Sequence, residues 1–274
     1  MVECRWERLT APELRALALR DALAVLPVAS LEQHGPHLPV WTDSQIGHSV
    51  ALRAAGLVAG TQGGEAAGMP AVVLPPLWLG LSAEHLPFGG TISLDHATLH
   101  AVLRCVCRSL RAEGFRRLLL VDSHGGNAES LAVSVRELAL EFAMPVVVAH
   151  LARLATAAVS AILERQTGIR HACEAETSLW LAIDPAQVRT GEIAAEYPER
   201  GIADPPGLDR ALSFAERAPG TGVRGDPRAA TAEKGERLLS ALAGALADVI
   251  RDPALWTPPD PVWEVGRALR DDPA

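Results

Sequence analysis

Four short apolar runs, rich in Val and Leu, punctuate the first 150 residues: 22–28, 71–74, 118–121 and 145–149. Their length and bounding polar residues predict strands. Stretches of helical length lie between them. Residues 44–55 form one, and 94–113 form another, with Leu99, Leu103, Val106 and Leu110 spaced by three and four. Residues 128–142 carry Leu131, Val135 and Leu138 in the same rhythm. A late helix is predicted over 229–250, with Leu238, Leu239, Leu242 and Leu246 on one face. Strands alternating with helices predict an α/β fold: a single domain spanning 1–274, with a mostly parallel β-sheet flanked by helices. The texture changes at about 185–227, where Pro, Gly and charge replace periodicity. A loop this long points to a lid or a subunit contact.

Two predicted strands end in polar punctuation, "LPVAS" running into "LEQHG" and "LLLVD" into "SHGGN". Ligands in open α/β sheets bind beyond the carboxyl ends of strands, so both clusters are expected in one crevice. A formal net charge of −8 and scattered arginines argue against a nucleic-acid surface. No apolar run reaches the length of a membrane span and the first residues do not read as a signal peptide, so a cytoplasmic location is expected. Four cysteines are too few for a disulfide framework in 274 residues.

In an extended segment, residues two apart project to the same side. Glu32 and His34 can therefore reach one ion together, with Gln33 facing away. Gly35-Pro36 turns the chain, and Asp43 returns just before a helix start. Asp43 either caps that helix or bridges two cations with its two oxygens; His37 is as good a ligand as His34 at this point. In Asp122-Ser123-His124-Gly125-Gly126-Asn127 the glycines allow a sharp turn that leaves His124 at the mouth of the sheet. The same loop reads equally as a metal-free nest for an anion, in which Asn127 is a helix cap or a ligand contact. "HACEAETS" sets His171, Glu174 and Glu176 before an apolar helix, where acids favour the helix dipole or supply ligands.

Other features carry less. His96 and His100 are spaced as in zinc-peptidase helices, but Ala97 stands where the glutamate belongs. Cys105 and Cys107 point apart on a helix. Cys173 lacks an activating partner and Ser123 lacks a nucleophile elbow.

Taken together, "LPVASLEQHGPHLPVWTD", "GLSAEHLPFGGTISL", "GFRRLLLVDSHGGN", "HACEAETSLWL" and "GTGVRGDPRAATAEKGERLL" resemble, in order, the blocks of the creatininase family of metal-dependent amidohydrolases. The resemblance implies a creatininase-like α/β fold, two divalent metal ions per subunit (zinc, manganese or iron) and a homo-oligomer, usually a hexamer. Carried over, Glu32, Asp43 and His124 hold one metal, and His34 and Asp43 the other, with Asp43 bridging. His171 matches the catalytic histidine, the general acid that protonates the departing nitrogen. His37 then drops to a supporting residue. Creatinine-hydrolysing members place a further metal-binding carboxylate where this chain has Gly126, and Glu176 is the candidate replacement. Gly89 replaces a usual proline, and Trp41 and Cys173 replace common glycines. Trp41, Glu84, His85, Gly125, Gly126 and Asn127 are candidate substrate contacts.

The implied reaction is hydrolysis of a C–N amide or lactam bond in a small molecule by a metal-activated water. A second reading is a peptidase that trims the C-terminus of a modified precursor peptide, of the mycofactocin type; the "HGGN" form of the second cluster and the late "TGV-x-GDP" pattern occur there. A third, from another class, is a metal-free protein that binds an anionic metabolite in the "SHGGN" nest.

Overall fold

All six residues of β1 (Leu23–Val28) are buried, as befits an apolar run covered on both faces of a parallel sheet. The computed structural model describes residues 3–59, 70–193 and 213–263. In it β1 pairs with β2 (Ala71–Val73) on one side and with β3 (Leu118–Asp122) on the other. Strand β4 (Val146–His150) completes a fully parallel sheet of order β2-β1-β3-β4. The four strands coincide with the four apolar runs to within a residue or two.

The pleat sorts the core into two layers. Leu23, Val25, Leu119 and Val121 face a cluster built with α2 (Thr42–Ala59), α5 (Thr156–Ile162), α6 (Glu174–Ile183) and α8 (Ala232–Arg251). Ala24, Leu26, Leu118 and Leu120 face the other way, against α1 (Ala11–Leu19), α3 (His96–Ala112) and α4 (Ala128–Phe142). The expected helices are present. Local chemistry sets their starts: Asp95 Oδ1 accepts the Thr98 N–H at α3, and Thr231 accepts from Lys234 N–H at α8. Helix α1 has a weak apolar stripe and escaped the periodicity reading, although Thr10 and Glu13 form a capping box at its start.

Chain order creates the crevice. From β1 the chain crosses to β2 on one side, then returns past β1 to β3 on the other. The carboxyl ends of β1 and β3 are thus a topological switch point. The 185–227 segment is partly described, as short 3-10 turns at Pro185–Gln187 and Thr190–Glu192 and as α7 (Phe214–Arg217); residues 194–212 lie outside the described residues. Among the described residues no helix is long and apolar enough to cross a membrane.

Candidate metal centre

The loop after β1 carries Glu32 and His34, the first turn of α2 carries Asp43, the loop after β3 carries His124, and the first turn of α6 carries Glu176. All five are buried. Asp43 lies inside the first turn of α2, and its carboxylate points at two histidines rather than capping the helix. Asp43 Oδ1 is 3.3 Å from His34 Nε2, and Oδ2 is 3.3 Å from His124 Nδ1. Glu32 Oε2 lies 3.2 Å from His124 Nδ1, and Glu176 Oε2 3.7 Å from His34 Nε2. Ligand atoms of Glu32, Asp43 and His124 all lie within 4.8 Å of one another, as do those of His34, Asp43 and Glu176. A further set of the same tightness combines Glu32, His34 and His171.

Each histidine turns one ring nitrogen inward because its other nitrogen is committed. His34 Nδ1–H donates to the Glu32 carbonyl at 3.2 Å, which directs Nε2 at the carboxylates. His124 Nε2–H donates to the Leu81 carbonyl at 2.9 Å, which leaves Nδ1 inward. His171 Nε2–H donates to the Gln33 carbonyl at 2.7 Å, so its Nδ1 faces Glu32 Oε1 at 3.3 Å. Metal-binding histidines are typically fixed by such an outer hydrogen bond. Glu32 Oε1, His34 Nε2 and Asp43 Oδ2 have no hydrogen-bond partner although they are buried. Buried polar atoms are normally paired, and imidazole nitrogens with carboxylate oxygens are a donor set for divalent zinc, manganese or iron. The residues present fit such ions.

The electrostatics agree. Burial disfavours a charged His34, but Asp43, Glu176 and Glu32 outweigh it and lift its pKa to about 9. Burial likewise opposes charge on His124, and Glu32 and Asp43 overcome it, so its pKa is also raised. Burial, with the neighbouring carboxylates of Asp43 and Glu32, pushes Glu176 up to about 8 despite His34. Asp43 is held down at about 2, since His34 and His124 outweigh the cost of its burial. This is a field that favours cations at the centre. His171 and His85 behave oppositely. Burial first, then neighbouring histidines, hold His171 well below its usual value, and burial takes His85 to about 4.

A cavity of about 470 Å³ opens over the cluster. Glu84, His85, Gly125 and Gly126 line it, as do Arg170, Arg217 and Arg224. Trp41 and Asn127 are not among the lining residues. Trp41 is partly exposed and lies near Trp78, with ring centroids 6.4 Å apart. Asn127 is buried and staples three segments, accepting from Leu81 N–H and donating to the Ala29 carbonyl. His37 hydrogen-bonds Thr177 Oγ1 at 2.9 Å, next to Glu176, and takes no place in the ligand sets.

Sequence reading missed two residues. Gln33 turns inward instead of away, toward His85, His171 and the Gly222 carbonyl, because residues 32 and 33 lie in an irregular loop and not in a regular extended strand. Ser82 Oγ donates to Glu32 Oε2 at 2.6 Å. A serine in a loop 50 residues from its partner leaves no local pattern to detect.

Comparison with known proteins places the chain. The family profile described as "Creatininase: Creatinine amidohydrolase" matches residues 7–250. The chain is 35% identical over 243 residues to a mycofactocin precursor peptide peptidase of Mycolicibacterium smegmatis, covering 84% of each chain. It is 30% identical over 252 residues to the creatinine amidohydrolase of Pseudomonas putida, covering 86% of this chain and 91% of that one. A solved structure described as "Creatininase Mn" superimposes with a TM-score of 0.74 at 29% identity, over 94% of this chain and 100% of that one. With a family profile that matches residues 7–250, relatives at 30–35% identity over most of both chains and the same α/β architecture, the chain belongs to the creatininase family.

Proposed function

We propose that this chain is a metal-dependent hydrolase of C–N amide bonds that works with two divalent cations sharing Asp43. The observation that carries the reading is the convergence of Glu32, His34, Asp43, His124 and Glu176 beneath an open cavity, with Glu32 Oε1, His34 Nε2 and Asp43 Oδ2 buried there without a hydrogen-bond partner. Glu32, Asp43 and His124 would hold one ion; His34, Asp43 and Glu176 the other. Glu176 thus takes the place of the carboxylate that creatinine-hydrolysing relatives carry at the position of Gly126. Divalent ions there supply Lewis acidity toward a carbonyl oxygen and acidify a water. His171 keeps its Nε2 proton on the Gln33 carbonyl, so Nδ1 is the nitrogen that receives a proton from the attacking water and returns it to the departing amine. Ser82 holds Glu32 in orientation, and Ile46, Leu179 and Phe214 give the cavity an apolar wall.

Trimming of a peptide C-terminus is the substrate reading with specific support. The mycofactocin precursor peptide peptidases match this chain at 34–35% identity, and three arginines line the cavity. A guanidinium pairs well with a terminal carboxylate. The test is elemental analysis of the protein as purified, followed by a hydrolysis panel of creatinine, simple lactams, free-acid peptides and the same peptides C-terminally amidated. Chelator-sensitive cleavage of the free-acid peptides in preference to the amidated ones is expected. Chelator-insensitive cleavage counts against the metal mechanism, and equal cleavage of both peptide forms counts against the carboxylate role of the arginines.

A further inference from the structure

Gln33 is buried behind two cavity-lining histidines, His85 and His171. Its side-chain Oε1 accepts the Gly35 N–H at 2.9 Å. Its Nε2 lies 3.1 Å from the Gly222 carbonyl and 3.0 Å from His85 Nδ1. The orientation of the amide is therefore fixed: a donor faces Oε1 and an acceptor faces Nε2, which excludes the flipped form. Gln33 Nε2 also lies 3.0 Å from His171 Nε2. That nitrogen, however, is 2.7 Å from the Gln33 carbonyl oxygen, which can only accept, so His171 Nε2 carries a proton and does not accept from the amide. The two amide hydrogens go instead to the Gly222 carbonyl and to His85 Nδ1.

A ring nitrogen that accepts a hydrogen bond bears no proton. His85 is thereby held as the neutral tautomer protonated at Nε2. Its Nε2 lies 3.6 Å from Glu32 Oε1, so the N–H end is turned toward the ligand cluster at the cavity wall. Phe214 stacks on the ring at a centroid distance of 4.1 Å and fixes its plane. The late loop is built around this arrangement. Gly222 has φ 68°, and a Cβ on it would come within 2.4 Å of Gln33 Oε1. Only glycine lets the loop approach closely enough for its carbonyl to take one amide hydrogen.

We propose that His85 is a neutral hydrogen-bond donor, through Nε2–H, to the carbonyl oxygen of the substrate, and that Gln33 is the positioning residue that locks this tautomer. The role of His85 toward substrate rests on the amide-hydrolysis reading above; the tautomer lock does not. A neutral donor aimed at an oxygen that gains negative charge stabilises the transition state without a competing proton transfer.

The test is two-bond ¹H–¹⁵N NMR of the full chain labelled at histidine, recorded without metal and again with added zinc, with His85 assigned by its loss in His85→Gln. Wild type is expected to show His85 protonated at Nε2 with a bare Nδ1. In Gln33→Glu the carboxylate can only accept from the ring, so the His85 proton is expected at Nδ1, while His171 keeps its Nε2 proton on the backbone carbonyl. Gln33→Met, which retains the volume, is expected to give a mixture of His85 tautomers with unchanged far-ultraviolet circular dichroism. His85 protonated at Nδ1 in wild type, or a tautomer unmoved in both variants, overturns the lock. On an amide that wild type cleaves, Gln33→Glu is expected to lower kcat by about 100-fold with KM changed far less; an unchanged kcat overturns the donor role. Failure of the hydrolase reading would show separately, as wild type that cleaves no amide while the spectra remain interpretable.

Discussion

Asp43 and His34 meet at 3.3 Å between one carboxylate oxygen and Nε2, and the other oxygen of the same carboxylate stands 3.3 Å from a second histidine, His124. One side chain thus belongs to two of the three candidate ligand sets, the two proposed to hold ions. Asp43→Ala is expected to lower the metal content of both positions and to reduce turnover by at least about 100-fold, as for the loss of a ligand on which others depend. Elemental analysis of the purified variant checks this. An unchanged metal-to-protein ratio would remove Asp43 from its bridging role.

His171 separates from the other histidines by chemistry rather than by distance. Its Nδ1 is free to exchange a proton, while each proposed ion already has three other ligands. His171→Ala is therefore expected to retain its metal and lose about 10²- to 10⁴-fold in kcat. Loss of metal together with turnover would make His171 a ligand.

The sheet was legible because its strands are continuous apolar runs that match the pleat on both faces, as β1 and β3 show. The clustering of Glu32, His34 and His124 was legible because strand ends at a switch point converge. What escaped is long-range. Ser82 reaches Glu32 and Gln33 reaches Gly222, 189 residues away, through contacts that no local spacing encodes. Gln33 was misplaced for a local reason: alternation assumes a regular extended chain, and residues 32 and 33 lie in the irregular loop that follows β1.

Gly126 is more than the loss of a carboxylate. A Cβ there would come within 2.4 Å of the Leu81 carbonyl and 2.5 Å of His124 Nε2, the two atoms of the hydrogen bond that orients His124. The chain in this form has no room for a side chain at 126, and Glu84 Oε1 already lies 3.2 Å from that point. Gly126→Ala is expected to destabilise the fold by about 1–3 kcal/mol through overpacking, seen as a Tm lowered by about 2–10 °C, and to weaken metal retention by displacing His124. A Tm and metal content equal to wild type would show that the loop relaxes freely.

Two cysteines are shielded from chemistry. Burial raises the Cys107 thiol to about 12 and the Cys173 thiol to about 11. The thiolate is the reactive form, so both are essentially protonated at pH 8, and raising the pH increases their reactivity only as it approaches these values. Iodoacetamide at pH 8 followed by peptide mass spectrometry is expected to modify exposed Cys105 and to leave Cys107 and Cys173 intact until the protein is unfolded. Rapid native labelling of Cys173 would reopen its dismissal as a nucleophile.

Lys234, the chain's sole lysine, anchors the helix that presents Glu176. Its Nζ donates to Glu174 Oε1 at 2.6 Å and to the Ala229 carbonyl at 2.7 Å. Glu174 is wholly buried and also accepts the backbone N–H groups of Glu164 and Arg165. The pair therefore ties the start of α6 to α8 and to the segment that leads toward His171. Breaking a buried pair by removing one partner strands the other charge, at a cost of about 3 kcal/mol. Lys234→Met is expected to lose that much stability in denaturant unfolding, and Glu174→Gln, which keeps an acceptor and sheds the charge, to lose less. The double variant separates the pair from simple packing: a coupling of at least about 1 kcal/mol is expected, and strict additivity would show that the two side chains act independently.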